Sequence, residues 1–167
     1  DLGNVANWKD AITKLRIDPS SGVSSGTISI DYIKVLPSSQ PVESWHFNND
    51  GQVEGWYGFN GMSEAGVSGG GFNANITGSD PFMYSQPFFV DAYKNKHIEI
   101  SIKNNTTSNR LKFYWTTNLE QSMDESKSME CSITANDSTY RTYTVDLTGC
   151  PKWKYNITSL RVDPTSG

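Results

Sequence analysis

Apolar and polar residues alternate with a period of two in short stretches along most of the chain, which is the pattern of half-buried β-strands. In His97–Lys103, Ile98, Ile100 and Ile102 share one face, with His97, Glu99, Ser101 and Lys103 on the other. In Arg110–Thr117, Leu111, Phe113 and Trp115 point inward, and Lys112, Tyr114 and Thr116 outward. Tyr140–Leu147 directs Tyr143, Val145 and Leu147 inward, and Ile157–Asp163 closes the chain as a further strand. Met129–Thr134 is expected to pair with Tyr140–Leu147, and Asn104–Asn109 reads as a polar hairpin loop. Weaker signals place strands at Glu43–Phe47, with Trp45 and Phe47 inward, and at Phe88–Val90. A strand or hairpin is expected within the glycine-rich stretch 58–79. Asn48–Gly51 and Ser79–Pro81 are turns. Strands this short, with almost no helical pattern, predict an all-β protein: an antiparallel β-sandwich or jelly roll.

The ends of the chain repeat each other. Residues 1–22 and 146–167 align without a gap at a constant offset, and 12 of the 22 positions are identical, including Trp8/Trp153, Ile12/Ile157, Leu15/Leu160, Arg16/Arg161 and Asp18/Asp163. The first copy alternates as a strand over Ile12–Asp18 and continues into Thr27–Leu36. There Ile28 and Ile30 share one face while Ile33 and Val35 share the other, so the phase change at Asp31-Tyr32 predicts a β-bulge. The expected organisation is the end of a preceding repeat at 1–36, followed by a β-sandwich at 37–167 that lacks its own last strand. Thr27–Leu36 is expected to pair beside a strand of the Ile157–Asp163 type, within one molecule or by exchange between molecules.

Composition narrows the possible functions. The 167 residues are 12% aromatic and 19% charged, the net charge is −4, and Lys and Arg form no cluster, which excludes a nucleic-acid footprint. No apolar run reaches the length of a membrane span. Cys131 and Cys150 could bridge the hairpin between them, yet Cys150 aligns with Val5 in the other copy, so a bridge would not be a constant part of the repeat. His46 and His97 accompany no nucleophile or metal-ligand motif, and no catalytic role is expected.

One series of residues runs in order through the chain: Trp45-x-Phe47, Gly51-x-x-Glu-Gly-Trp56, Gly78-x-Asp-Pro81, Ile100-x-Ile-Lys-Asn104 and Phe113-Tyr-Trp-Thr-Thr117. Tyr143-Thr-Val-Asp-Leu147 and Ile157-x-x-Leu-Arg-Val-Asp-Pro164 complete it, with Ile30-Asp-Tyr-Ile33 in the first copy. The series resembles the galactose-binding-like jelly-roll modules of bacterial polysaccharide-degrading and surface-layer proteins, in particular the broad group of carbohydrate-binding modules. The resemblance implies a secreted, extracellular or cell-surface module without catalysis, which binds polysaccharide and tethers a larger protein to it. It also implies a structural Ca²⁺ near the first and last strands, for which Asp31 and Glu43 are the candidate ligands.

Sugars are held by aromatic faces and by polar groups around them. Tyr114, Lys103 and Arg161, with Lys112 and Glu99, are the outward strand residues that neighbouring strands could gather into a groove. Tyr57, Phe59 and Tyr84, with Phe82, are the corresponding aromatics of the loops. Trp45, Trp56, Trp115 and Trp153 fall at inward or turn-packing positions and are expected in the core. The alternative function is a structural repeat of a surface layer, adhesin or filament that self-associates by strand exchange.

Overall fold

A computed structural model describes residues 43–165, which lie within one compact unit. The expectations for the first repeat copy, for Thr27–Leu36 and for Asp31 fall outside the described residues. Among the described residues ten strands follow in chain order: β1 Tyr57–Asn60, β2 Met62–Ser68, β3 Gly71–Ile76, β4 Phe82–Tyr84, β5 Val90–Asp91, β6 His97–Asn104, β7 Arg110–Thr117, β8 Ser128–Ser132, β9 Asp137–Asp146 and β10 Asn156–Asp163. All pairings among them are antiparallel. The largest sheet runs β1-β4-β10-β7-β8, with β5 also on β10, while β6 pairs β9 and β2 pairs β3. Among the described residues no helix is long and apolar enough to cross a membrane.

The predicted inward residues build the core of an all-β sandwich. Leu111, Phe113 and Trp115 of β7 and Leu160 and Val162 of β10 are buried, and Ile98, Ile100, Ile102, Tyr143 and Val145 of the β6–β9 pair pack onto the same cluster. A register shift between Ile157 and Ser159 puts both Ile157 and Leu160 in the core, three residues apart rather than two. Trp115 and Trp153 meet edge to face at 5.1 Å, and their indole N–H groups donate to the Lys152 and Asn95 carbonyls. Trp45 packs between Trp56 and Phe88, so all four tryptophans do belong to the packing.

The partners differ from expectation more than the faces do. Residues 104–109 are no hairpin loop, because β6 and β7 lie in different sheets. The crossing is organised by buried Asn104, whose amide donates to the Ser108 and Thr134 carbonyls and whose oxygen accepts from Thr106 N–H and O–H. β8 and β9 likewise pair with β7 and β6 rather than with each other. Among the described residues both edges of β10 are occupied, one by β7 and the other by β4 and β5.

Glu43–Phe47 does not form a strand. The Glu54 carboxylate accepts from the backbone N–H of His46 and of Phe47, and Phe47 takes φ +54°, so the segment turns instead of extending along a neighbour. The strand expected at Phe88–Val90 contracts to Val90–Asp91. The glycine-rich stretch does hold a hairpin, β2–β3, reversed at Gly69 and Gly70 with φ of +60° and +76°. Cys131 and Cys150 are free thiols.

Candidate functional site

The outer face of the largest sheet carries a row of long side chains at matched register. Tyr57 of β1 lies opposite Tyr84 of β4, Tyr84 opposite Arg161 of β10, and Arg161 opposite Tyr114 of β7. Directly paired residues share a face, so these four side chains stand together on the side away from Leu160 and Val162. Neighbouring strands lie about 4.8 Å apart, and the row therefore extends over about 14 Å. A second row alongside places Asp163 opposite Lys112 and Lys112 opposite Glu130.

The rings touch along the row. Tyr57 and Tyr84 have centroids 5.8 Å apart, and Phe82 and Tyr84 5.1 Å. The Arg161 guanidinium lies 4.0 Å from the Phe82 centroid and 5.0 Å from that of Tyr114. Its plane is set by Asp163, which accepts from Nε at 2.7 Å and from Nη2 at 2.9 Å, and Asp80 accepts from Nη2 at 3.1 Å. Burial opposes the charge of Arg161, but the bonds to Asp163 outweigh it and raise the guanidinium pKa. Burial also raises the Asp163 carboxyl, and Arg161 pulls it partly back.

At the β7–β8 end the row opens into a groove of about 350 Å³ lined by Asp80, Arg110, Lys112, Tyr114, Glu125, Glu130, Arg161 and Asp163. Glu125 enters from a single 3₁₀ turn, Glu125–Lys127, and accepts from Lys112 Nζ and from the Tyr114 phenol, each at 2.5 Å. Those two bonds, Lys112 first, hold the Glu125 carboxyl below the usual range. The same contact raises Lys112, while the Tyr114 phenol is raised first by burial and then by Glu125. Arg110 and Glu130 form a further pair at 2.5 Å. The groove thus holds three cations and four carboxylates, every cation being paired.

The turn that delivers Glu125 is anchored beneath. Lys127 is almost wholly buried, and its ammonium meets Asp124 at 3.0 Å, Glu120 at 3.6 Å and Ser122 Oγ at 3.3 Å. Asp124 caps the turn by accepting from the Ser126 N–H.

Of the residues chosen from sequence, Tyr57, Tyr84, Tyr114 and Arg161 come together in this row. Phe59 does not: it packs on Phe72 at 5.3 Å and against the core. Lys103 does not either, because it projects outward from β6 in the other sheet, 4.5 Å from the Tyr140 ring. Glu99 shares that face with Lys103. Glu43 is exposed, and among the described residues no three His, Cys, Asp or Glu side chains are grouped to hold a metal. Glu43 by itself does not meet the convergent oxygen set that calcium requires, and Asp31 lies outside the described residues.

Sequence reasoning missed Asp80, Arg110, Glu125 and Glu130. Arg110 was legible as an outward position two residues before Lys112, whereas Glu130 and Glu125 reach the groove only once β8 and its preceding turn are laid beside β7. Together these features define an all-β sandwich with an aromatic and ion-paired outer face. No protein-family model matches the chain, and no curated protein matches it.

Proposed function

We propose that the chain is a non-catalytic glycan-binding module, acting extracellularly to tether a larger protein to polysaccharide. The observation that carries this reading is the Tyr57–Tyr84–Arg161–Tyr114 row with Phe82 beside it. Stiff aromatic faces offer apolar surface to sugar C–H groups at little cost in side-chain entropy, and the flanking paired ions offer donors and acceptors to hydroxyls. The row crosses several strands, which suits a stretch of glycan chain lying across the sheet rather than a single chain end. Binding energy would concentrate at Tyr57, which is 53% exposed, and at Tyr84.

The test is polysaccharide pull-down and affinity electrophoresis with wild type, Tyr57→Ala and Tyr84→Ala. Each substitution is expected to weaken binding about 2–10-fold while the thermal melt stays close to wild type for Tyr57→Ala. Absence of binding to a broad polysaccharide panel, or full binding by the double variant, overturns the reading.

A structural repeat that assembles by strand exchange is the second reading. It is favoured by the β6–β9 pair: among the described residues these strands of eight and ten residues pair only with each other. Their outer edges offer backbone donors and acceptors to an added strand. Concentration-dependent polymer in light scattering, with no glycan bound, is the result that would select it.

A further inference from the structure

We infer that Glu125 is a built-in carboxylate that makes the groove select uncharged glycans and reject acidic ones. The inference rests on the glycan-binding reading and adds its specificity. Lys112 Nζ and the Tyr114 phenol each approach a different oxygen of Glu125 at 2.5 Å, so together they form a two-pronged receptor for one carboxylate. That carboxylate is supplied from within. The other groove cations are met in the same way, Arg110 by Glu130 and Arg161 by Asp163 and Asp80. A uronate sugar entering the groove would have to displace one of these groups and then lie among the remaining like charges. A neutral sugar meets no such opposition, because hydroxyls can add to paired ions as donors or acceptors.

Glu125 is the group whose removal should change this. Its side chain is 73% exposed, against 7% for Asp163, so it covers Lys112 and Tyr114 from the solvent side and contributes nothing to the core. Its backbone position is nevertheless set by the turn beneath, through the Lys127 ammonium on Asp124 and Glu120. The carboxylate is therefore presented at a defined place without being buried there.

The experiment compares wild type with Glu125→Ala on a neutral β-glucan, a neutral xylan and polygalacturonate. A parallel NMR titration uses monomeric galacturonate, followed at Lys112 and Tyr114. Wild type is expected to retain the neutral polymers and to bind polygalacturonate at least ~10-fold more weakly, and Glu125→Ala to gain about that factor on polygalacturonate. The gain should disappear as salt is raised, as expected of an exposed charge contact. In the titration galacturonate should shift Lys112 and Tyr114 in the variant and leave them unmoved in wild type. Equal or tighter binding of polygalacturonate by wild type overturns the inference, as does a folded Glu125→Ala whose Lys112 and Tyr114 signals ignore galacturonate. If neither protein binds any polymer while the variant still responds to galacturonate, the glycan reading falls and the carboxylate receptor stands.

Discussion

Replacing Arg161 by Met tests how the row is held. Met keeps a long unbranched stem over Phe82 but removes the fork that bonds both Asp163 oxygens at 2.7 and 2.9 Å. Asp163 is 5% exposed and is then left as a buried carboxylate without its cation. Breaking a fully buried pair from one side costs ~3–5 kcal/mol; Arg161 retains 18% side-chain exposure, so the expected loss near neutral pH is about 2–3 kcal/mol. The loss depends on pH with a definite sign. Burial already raises Asp163, and without Arg161 only the weaker attraction of Lys112 draws it back, so its folded pKa rises further above an unfolded value of about 3.9. The folded state then binds more protons than the unfolded state, and stability falls as pH rises through this window, by at most about 1.4 kcal/mol per pH unit. Urea unfolding at about pH 4 and about pH 7 should therefore show a small penalty at the first and the full penalty at the second. The double variant Arg161→Met/Asp163→Asn should return to within about 1 kcal/mol of wild type at both, since neither charge remains. An equal penalty at both pH values, or no relief in the double variant, refutes the reasoning.

Leu111 is fully buried in β7, and Leu111→Ala should cost ~2.7–5 kcal/mol in urea unfolding; a loss under about 1 kcal/mol would show that the sandwich core is not closed there. Acid should act opposite in sign to its effect at Asp163. Glu120, Asp124, Glu130 and Asp146 are held below the usual carboxylate range, and Asp137 is held at about 2, first by Thr139 and then by Arg141. Their contribution is complete above about pH 4 and is lost as pH falls through the folded values, so the thermal midpoint should drop on acidification below that point; a midpoint that holds or rises would contradict these pairings.

Alternation in the sequence was a sound guide to faces and a poor one to neighbours. Ile98, Ile100 and Ile102 turn inward, as do Leu111, Phe113 and Trp115, because the side-chain period of a strand is set by its own backbone. Nothing in that period says which strand lies alongside. Lys103 and Tyr114 are equally outward-facing by pattern, yet β6 and β7 belong to opposite sheets, so only Tyr114 joins the row. Conversely, Tyr57 and Tyr84 read as loop aromatics and are in fact strand residues in register with Arg161. Phe59 lies within the register irregularity between Tyr57 and Asn60, and it turns to the core although Tyr57, two residues earlier, faces out. Thr116 is outward by pattern but buried, covered by hydroxyl contacts with Thr158 and Ser159. These are tertiary facts, and a local pattern cannot carry them.

The duplicated segment permits one sharper test of what the repeat encodes. β10 supplies Ile157, Leu160 and Val162 to the core and Arg161 and Asp163 to the groove, and the first copy has the same residues at every one of those positions except Ile17 for Val162. Writing residues 11–18 into β10 therefore requires only Asn156→Ala, Ser159→Lys and Val162→Ile. Val162 is 3% exposed, so the added methylene should cost ~1–3 kcal/mol through overpacking. Ser159→Lys removes the 2.7 Å contact with Thr116 Oγ1 and should cost ~0.5–1.5 kcal/mol, with Thr158 still bonded to Thr116 at 2.8 Å. The triple variant should thus unfold cooperatively in urea, about 2–4 kcal/mol below wild type, with its denaturant slope unchanged. If the two copies share only local sequence and not a strand's two-faced role, the Arg161–Asp163 fork and the Leu160 contact will not survive the exchange. The cooperative transition will then be lost, and the repeat will have to be read as something other than a second copy of β10.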